Sequence, residues 1–449
     1  MRSEHDAARA AATLGAGGVA HEHPQRYALT NELHARPFEQ LSPPARLSMH
    51  ANLIGEHDDG IHDHLEDICA RFGLDPPARN KNQFSADFGP FRLRFERHTE
   101  FASYTIIRLG AFDDPFAVPA AGYLPEGWLD AMPGESLVAT HLALMPAQQT
   151  RPDADALTEW FMPESLVSSL LSDDAAQVWT DLRIHPDGHN RILVQAHDMP
   201  AHKAGRMVQW LLEIAAYRNF ALLALPIARQ LSPRLSRIDV GLAELTAEMA
   251  ALADGGVNDV PASRESELLE HLMQLSSEIE RLNSGHYYRF AASRAYFALV
   301  WARLDELREI HYDDYQTIGE FLRRRLTPAM RTCESVSERL MALSERATRA
   351  ANLLQTRVDF FLKRQNQGLL NSMDRRANLQ LRLQQTVEGL SVVAISYYAV
   401  GLVGYAAKGL HSAGVGVSVT LVQGVAVPVI VLMVGWGLHR LRGRIEKNA

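Results

Sequence analysis

The sequence predicts an α+β domain, then a long antiparallel helical, coiled-coil-like region and a C-terminal two-helix transmembrane hairpin, with helix predominating overall. Apolar and charged residues alternate in short runs in the first half. Apolar residues recur at steps of four and three in the middle, and two long stretches near the end carry no charge. These patterns divide the chain into a loose tail at 1–22, an α+β domain at 23–230, a helical stalk at 231–386, a hairpin at 387–438 and a basic tail at 439–449.

Residues 1–22 are rich in Ala and Gly and hold too few large apolar side chains to offset the entropy of ordering. Glu4 and Asp6 stand where an export signal would be basic, so none is expected. In the next segment, FRLRFER alternates Phe91, Leu93 and Phe95 with Arg92, Arg94 and Glu96, and FASYTIIR follows closely. That pairing predicts a hairpin of adjacent strands. SLVATHLALM predicts a further strand, and VWTDLRIH and RILVQAHDM flank a turn at Pro186-Asp187-Gly188. An amphipathic helix through Met207, Trp210, Leu211, Ile214, Tyr217 and Leu222 comes next, ended by Pro226. An antiparallel or mixed sheet flanked by helices fits this order.

The stalk begins with Leu268, Leu272, Leu275, Ile279 and Leu282, the spacing of a coiled-coil seam. After a break at NSGH, a second seam runs through Phe290, Phe297, Val300, Leu304 and Leu307, and the two are expected to pack antiparallel. A third helix is expected to open at Thr327-Pro328, a cap followed by the one helical position that tolerates proline. No proline occurs from Ala329 to Ala407, which predicts one rod of roughly 90 Å running into the membrane.

Gly389 to Ala407 and Val415 to Leu438 are free of charged residues. At about 1.5 Å per residue these runs reach roughly 28 and 36 Å, enough for a hydrocarbon core of about 30 Å. The spans are therefore placed at about 387–407 and 415–438, with Lys408 to Gly414 as the connecting loop. Arg375, Arg376 and Arg382 precede the first span, and Arg440, Arg442, Arg444 and Lys447 follow the second. Against the single Lys408 in the loop, the positive-inside rule puts both ends in the cytoplasm. Gly401, Gly404, Gly416 and Gly424 offer surfaces for close helix approach, and Pro428 is expected to kink the second span. Tyr397, Tyr398 and Tyr405 fit interfacial anchoring in part, and Glu388 stands at the cytoplasmic entrance.

A formal net charge of -8 argues against a nucleic-acid binder, which needs clustered Lys and Arg to neutralise phosphates. Cys69 and Cys333 match no thiolate metal spacing and no disulfide framework. Phosphate-loop, dinucleotide, His-Glu-x-x-His and Gly-x-Ser-x-Gly motifs do not occur, so no cofactor is predicted and an enzyme is not favoured. The polar candidates are Glu96, His98 and Glu100 in ERHTEF, with Asn31 and His34 in NELHARPFE. Extended, the first three point to one side at about 6.5 Å spacing, too far to chelate a divalent cation without ligands from elsewhere. The competing reading is an ion-pair set with Arg92 and Arg94. Asp58, His62 and Glu66 form a second, weaker grouping opposite Ile61, Leu65, Ile68 and Phe72.

The phrases NELHARP, ERHTEF, YRNFALLALPIAR, RFAASRAYFALV, TRVDFFLKRQNQGLL and LQLRLQQTVEGLSVVAISYYAVGL resemble those of a bacterial family of membrane-anchored proteins described only as a domain of unknown function. The resemblance covers the chain from about His23 onward and implies a cytoplasmic module on a membrane hairpin. In layout the chain is also similar to CorA-type divalent cation channels. Their Gly-Met-Asn signature is missing, and Lys408 near that place would repel cations. The expected protein is an oligomer anchored in the bacterial inner membrane, whose cytoplasmic module binds a ligand or protein partner. A CorA-like channel or transporter is the first alternative, and a membrane-anchored metal-dependent enzyme the second.

Overall fold

A computed structural model describes residues 22–32, 38–55, 59–79, 81–197, 199–254, 262–413, 416 and 418–445. The chain divides into two compact units, Met1–Asp259 with Glu270–Thr348, and Val260–Leu269 with Arg349–Ala449.

The first unit is built on strands β1 (Ala45–Leu53), β2 (Gln83–Asp87), β3 (Arg92–Arg97), β4 (Phe101–Leu109), β5 (Glu135–Met145), β6 (Val167–Leu171), β7 (Ala176–Ile184), β8 (Asn190–Ala196) and β9 (Ile310–His311). They form one sheet in the order β2-β3-β4-β1-β5-β8-β7-β6-β9. β5 and β8 run parallel, and the other neighbours are antiparallel, so the sheet is mixed. Both expected hairpins form, β3-β4 and β7-β8, because their strands alternate and a tight turn joins them. The second turns through Gly188, whose φ of +81° suits a residue without Cβ.

Helix α1 (Arg26–Glu32) precedes the sheet, α2 (Asp59–Phe72) follows β1, and α3 (Ala154–Trp160) follows β5. Helix α4 (Ala201–Leu222) lies across one face, burying Met207, Leu211, Ile214 and Phe220 against Leu47, Met49, Leu142 and Val194. Gly205 lets that helix approach the segment before β1, since a Cβ there would stand 1.6 Å from the Glu39 carbonyl oxygen. The opposite face is covered by α2 over β3 and β4, and by Phe116, Leu157 and Phe161 over β5, β7 and β8. Both faces of the sheet are therefore interior.

Helices α5 (Ala224–Asp254), α6 (Ala262–Leu307) and α7 (Ile318–Ser412) make up the helical middle. Three sequence expectations need correction here. Pro226 does not end the helix before it; it sits in the first turn of α5, where a missing N–H costs nothing. The NSGH break is absent, and α6 continues through Asn283–His286, so its two seams lie on one helix and cannot pack antiparallel against each other. A single glycine costs only about 1 kcal/mol within a helix, and tertiary packing overrides it. Thr327-Pro328 does not open a helix either: α7 starts at Ile318, where the Glu309 carboxylate accepts from the amides of Ile318 (3.0 Å) and Gly319 (2.8 Å). Thr317 and Glu320 add a reciprocal pair of cap bonds. Burial pushes the Glu309 carboxyl up, against the bonds from Ser169, Gly319 and Ile318 that favour its charged form.

Within the second unit, α7 continues to Ser412, so Lys408–Ser412 are helical rather than part of a loop. Helix α8 spans Val419–Ile445 with Pro428 inside it. Glu388 is half-buried on α7, while Tyr397, Tyr398, Tyr405 and Lys408 are exposed. Gly404 meets the Gln423 side chain of α8, whereas a Cβ on Gly401, Gly416 or Gly424 would enter open space. Among the described residues, three helical stretches are long and apolar enough to cross a membrane, Ala201–Ala251, Ile318–Ser412 and Val419–Gly437, which supports a multi-pass membrane arrangement. They differ in burial: 61% of the apolar window in the first is inside the protein, against 17% and 0% in the others.

Candidate metal centre

Strand β1 sets the site's frame. Its register places Ser48 opposite His141 and His50 opposite Ala139 on β5, and the parallel register places His141 beside Arg191 on β8. With side chains alternating along each strand, Ser48, His50, His141, His189 and Arg191 all project from the face away from α4. The turn His185–His189 closes with bonds from the Gly188 amide to the His185 carbonyl (2.8 Å) and from the His185 amide to the His189 carbonyl (2.9 Å). Asp187 then accepts from the His189 amide through Oδ1 (3.0 Å) and from Arg191 Nη2 through Oδ2 (3.1 Å).

His141, Asp187 and His189 bring one ligand atom each to within 4.8 Å of one another. The His141 and His189 rings stack at 3.8 Å. His189 Nδ1 lies 2.7 Å from the Asp187 backbone carbonyl oxygen, which can only accept. Nδ1 therefore carries the proton in the neutral ring, and Nε2 presents a lone pair. His141 Nδ1 lies 2.9 Å from Ser48 Oγ, which also accepts from the Ala121 amide at 3.0 Å. In the tautomer that donates Nδ1–H to Ser48, His141 Nε2 is likewise a lone pair, the arrangement by which outer partners orient metal-binding imidazoles; in the other, the Ser48 hydroxyl donates to Nδ1.

Electrostatics favour neutral rings. Burial, then His189, pushes His141 down to about 3, and the same two causes push His50 down to about 4. At Asp187, burial alone would raise the carboxyl, but bonds from His189 and Arg191 hold it below its ordinary value. His141 and His50 are thus neutral and Asp187 ionised near neutral pH, a donor set for a divalent ion.

The sequence marks none of these residues as a ligand, and Asp187 only as part of a turn. Each is a lone polar residue in an alternating strand or a turn, and only the β1-β5-β8 pairing gathers them. The residues that were singled out lie elsewhere. Glu96 and His98 line a pocket of about 60 Å³ between the sheet and α4, together with Arg94, Glu39 and Glu213. Glu96 pairs with Arg94 at 2.8 Å, Arg92 pairs with Glu39 at 2.9 Å, and His98 stacks on Phe101 at 4.0 Å. Glu100, past the turn, is buried and bonds to Arg289. Asn31 is exposed on α1, and His34 and Asp58 fall outside the described residues. His62 is half-buried, Glu66 is exposed, and Ile61, Leu65 and Ile68 pack into the core.

The model of a family described as Protein of unknown function (DUF3422) matches residues 21–445, a stretch that includes both the histidine cluster and the C-terminal apolar helices. That match carries no link specific to CorA-type channels. No curated protein matches the chain.

Proposed function

We propose that this chain, which belongs to the family described as Protein of unknown function (DUF3422), is a membrane-anchored protein whose α+β domain is a metal-binding module. The observation that carries this reading is the convergence of ligand atoms of buried His141, exposed Asp187 and half-buried His189 within 4.8 Å of one another, where β5 meets the turn before β8. Helices α7 and α8 supply the anchor, as a two-span hairpin with both ends in the cytoplasm of a bacterial inner membrane. The apolar stretch Ala201–Ala251 is used instead as core, since Leu211, Phe220, Leu231 and Leu242 are buried within the first unit.

The reading is tested on untagged, full-length, detergent-solubilised protein. After equilibration with Zn²⁺ and desalting, one ion per chain is expected, and His141→Ala with His189→Ala should abolish its retention. A wild type that retains no metal overturns the reading. Membranes washed with alkaline carbonate should keep the protein, and reporters fused at either end should lie inside the cell. Reconstituted in liposomes, the protein is expected to carry no Mg²⁺ or Co²⁺ flux; saturable flux would restore the channel alternative.

A further inference from the structure

We infer that His50 is a third imidazole ligand, so that the site takes a first-row transition-metal ion such as Zn²⁺, Co²⁺, Ni²⁺ or Cu²⁺ through three nitrogens and the Asp187 carboxylate. The inference rests on the metal-binding reading above and specifies its ligand set and metal class.

His50 stands two residues along β1 from Ser48, the His141 partner, on the same face. Its ring meets His189 edge-on, with centroids 5.1 Å apart. Ala139, directly opposite on β5, contributes only a methyl group between the strands. His50 is 7% exposed. Its Nε2 and that of His189 are both buried with no hydrogen-bond partner among the described residues. Two buried ring nitrogens left unbonded are costly, since such groups in proteins almost always find a donor, a water or an ion; with its proton on Nδ1, His50 presents a lone pair at Nε2. The Nδ1–H of His189 is committed to a carbonyl, so that ring cannot donate through Nε2 while neutral. A cation between the rings satisfies both nitrogens at once, and the nearby carboxylate offsets its charge.

The donor set decides the class of ion. Ca²⁺ and Mg²⁺ take oxygen ligands almost entirely, whereas imidazole suits zinc, copper, nickel and iron. The outer shell is in place: Ser48 on His141, the Asp187 carbonyl on His189, and Arg191 on the Asp187 carboxylate. Ligands held about 2.0–2.2 Å from one zinc ion lie up to about 4 Å apart, so His141, Asp187 and His189, within 4.8 Å of one another, need shifts of about 1 Å, while His50 stands outside that group and must turn further towards the ion.

The test loads untagged full-length protein in detergent with one equivalent of Cu²⁺ or Co²⁺. The wild-type Cu²⁺ paramagnetic resonance spectrum should show coupling to three imidazole nitrogens, and excess Mg²⁺ or Ca²⁺ should not displace the ion. His50→Ala should weaken Zn²⁺ binding by at least about 100-fold, beyond the roughly 10- to 100-fold typical of outer-shell changes. His64→Ala, another buried histidine, should leave binding unchanged. Two coupled nitrogens in the wild type, or unchanged affinity in His50→Ala, would overturn the role of His50 while leaving the metal-binding reading intact. Displacement by Mg²⁺ would overturn the metal class. A wild type that binds none of these ions would remove both. The nitrogen count is read from the wild type, so the question is decided even where His50→Ala fails to fold.

Discussion

On the side of strand β1 turned towards α4, Leu47, Met49 and Ala51 pack into an apolar cluster, while on the other side Arg46, Ser48, His50 and Asn52 are equally buried. The first side does what burial ordinarily does, contributing about 25 cal/mol for each Å² of apolar surface removed from water. The second gains little of that and must satisfy polar atoms instead. It does so incompletely: among the described residues, Arg46 Nε, His50 Nε2, Asn52 Oδ1, His189 Nε2 and Arg191 Nε have no hydrogen-bond partner. Polar residues hidden at such cost on one side of a strand, against an apolar partner on the other, set the proposed site apart from the rest of the sheet. Alternation in a sequence does not by itself mean that one face meets water.

The contrast can be broken most forcefully on the apolar side. Phe220 is fully buried and stacks on Phe101 at 4.2 Å. Phe220→Ala is expected to cost about 3 to 5 kcal/mol in denaturant unfolding of the solubilised protein, with no direct effect on metal binding by the folded fraction. A loss well under 2 kcal/mol, roughly the lower limit for burying such a side chain, would mean that the α4 face is not the main source of stability.

Acid should expose the opposite side next. His64 on α2 stacks on Trp128 at 4.1 Å, and burial holds it near 4, below its ordinary 6.5. Between those values the unfolded chain binds the extra proton, so stability falls as pH drops from about 6.5 to 4, by on the order of 3 kcal/mol from this group. His64→Gln should flatten that acid limb in unfolding curves taken across the range. An unchanged limb would show that His64 is protonated in the folded state.

Ser48→Ala removes the shared partner of His141 and the Ala121 amide. An expected loss of about 1 to 2 kcal/mol in unfolding free energy, with Zn²⁺ affinity reduced roughly 10-fold, would mark Ser48 as an orienting residue. Stability loss without an affinity change would confine it to packing. The smallest effect belongs to the pocket rim on the α4 side. Glu96→Gln breaks an exchangeable pair with Arg94 and should change stability by less than about 1 kcal/mol, leaving metal retention untouched. A lost ion in Glu96→Gln would move the centre to the other face.

Local chemistry made much of the scaffold legible. FRLRFER with FASYTIIR, and VWTDLRIH with RILVQAHDM, are adjacent in sequence and become paired strands because a short turn leaves them little alternative. Helix boundaries were less readable. Gly285 and Pro328 look like breaks, yet neighbouring packing carries both helices through them, and the true start of α7 is set by Glu309 from a preceding segment. Glu96, His98 and Glu100 drew attention because they are close in sequence, but the turn between β3 and β4 sends Glu100 towards Arg289 and away from the others.

By itself the sequence determined the features that depend on a few successive residues: alternation that makes strands, uncharged length that suits a bilayer, and the α+β-then-helical order. Tertiary structure alone decided the strand order, the parallel β5-β8 pairing and the gathering of His50, His141 and Asp187 with His189. The reason is physical. A pattern of period two says that a side chain faces up or down, whereas which distant side chain stands beside it depends on which strands exchange hydrogen bonds, a choice made by the whole sheet and the layers packed on it.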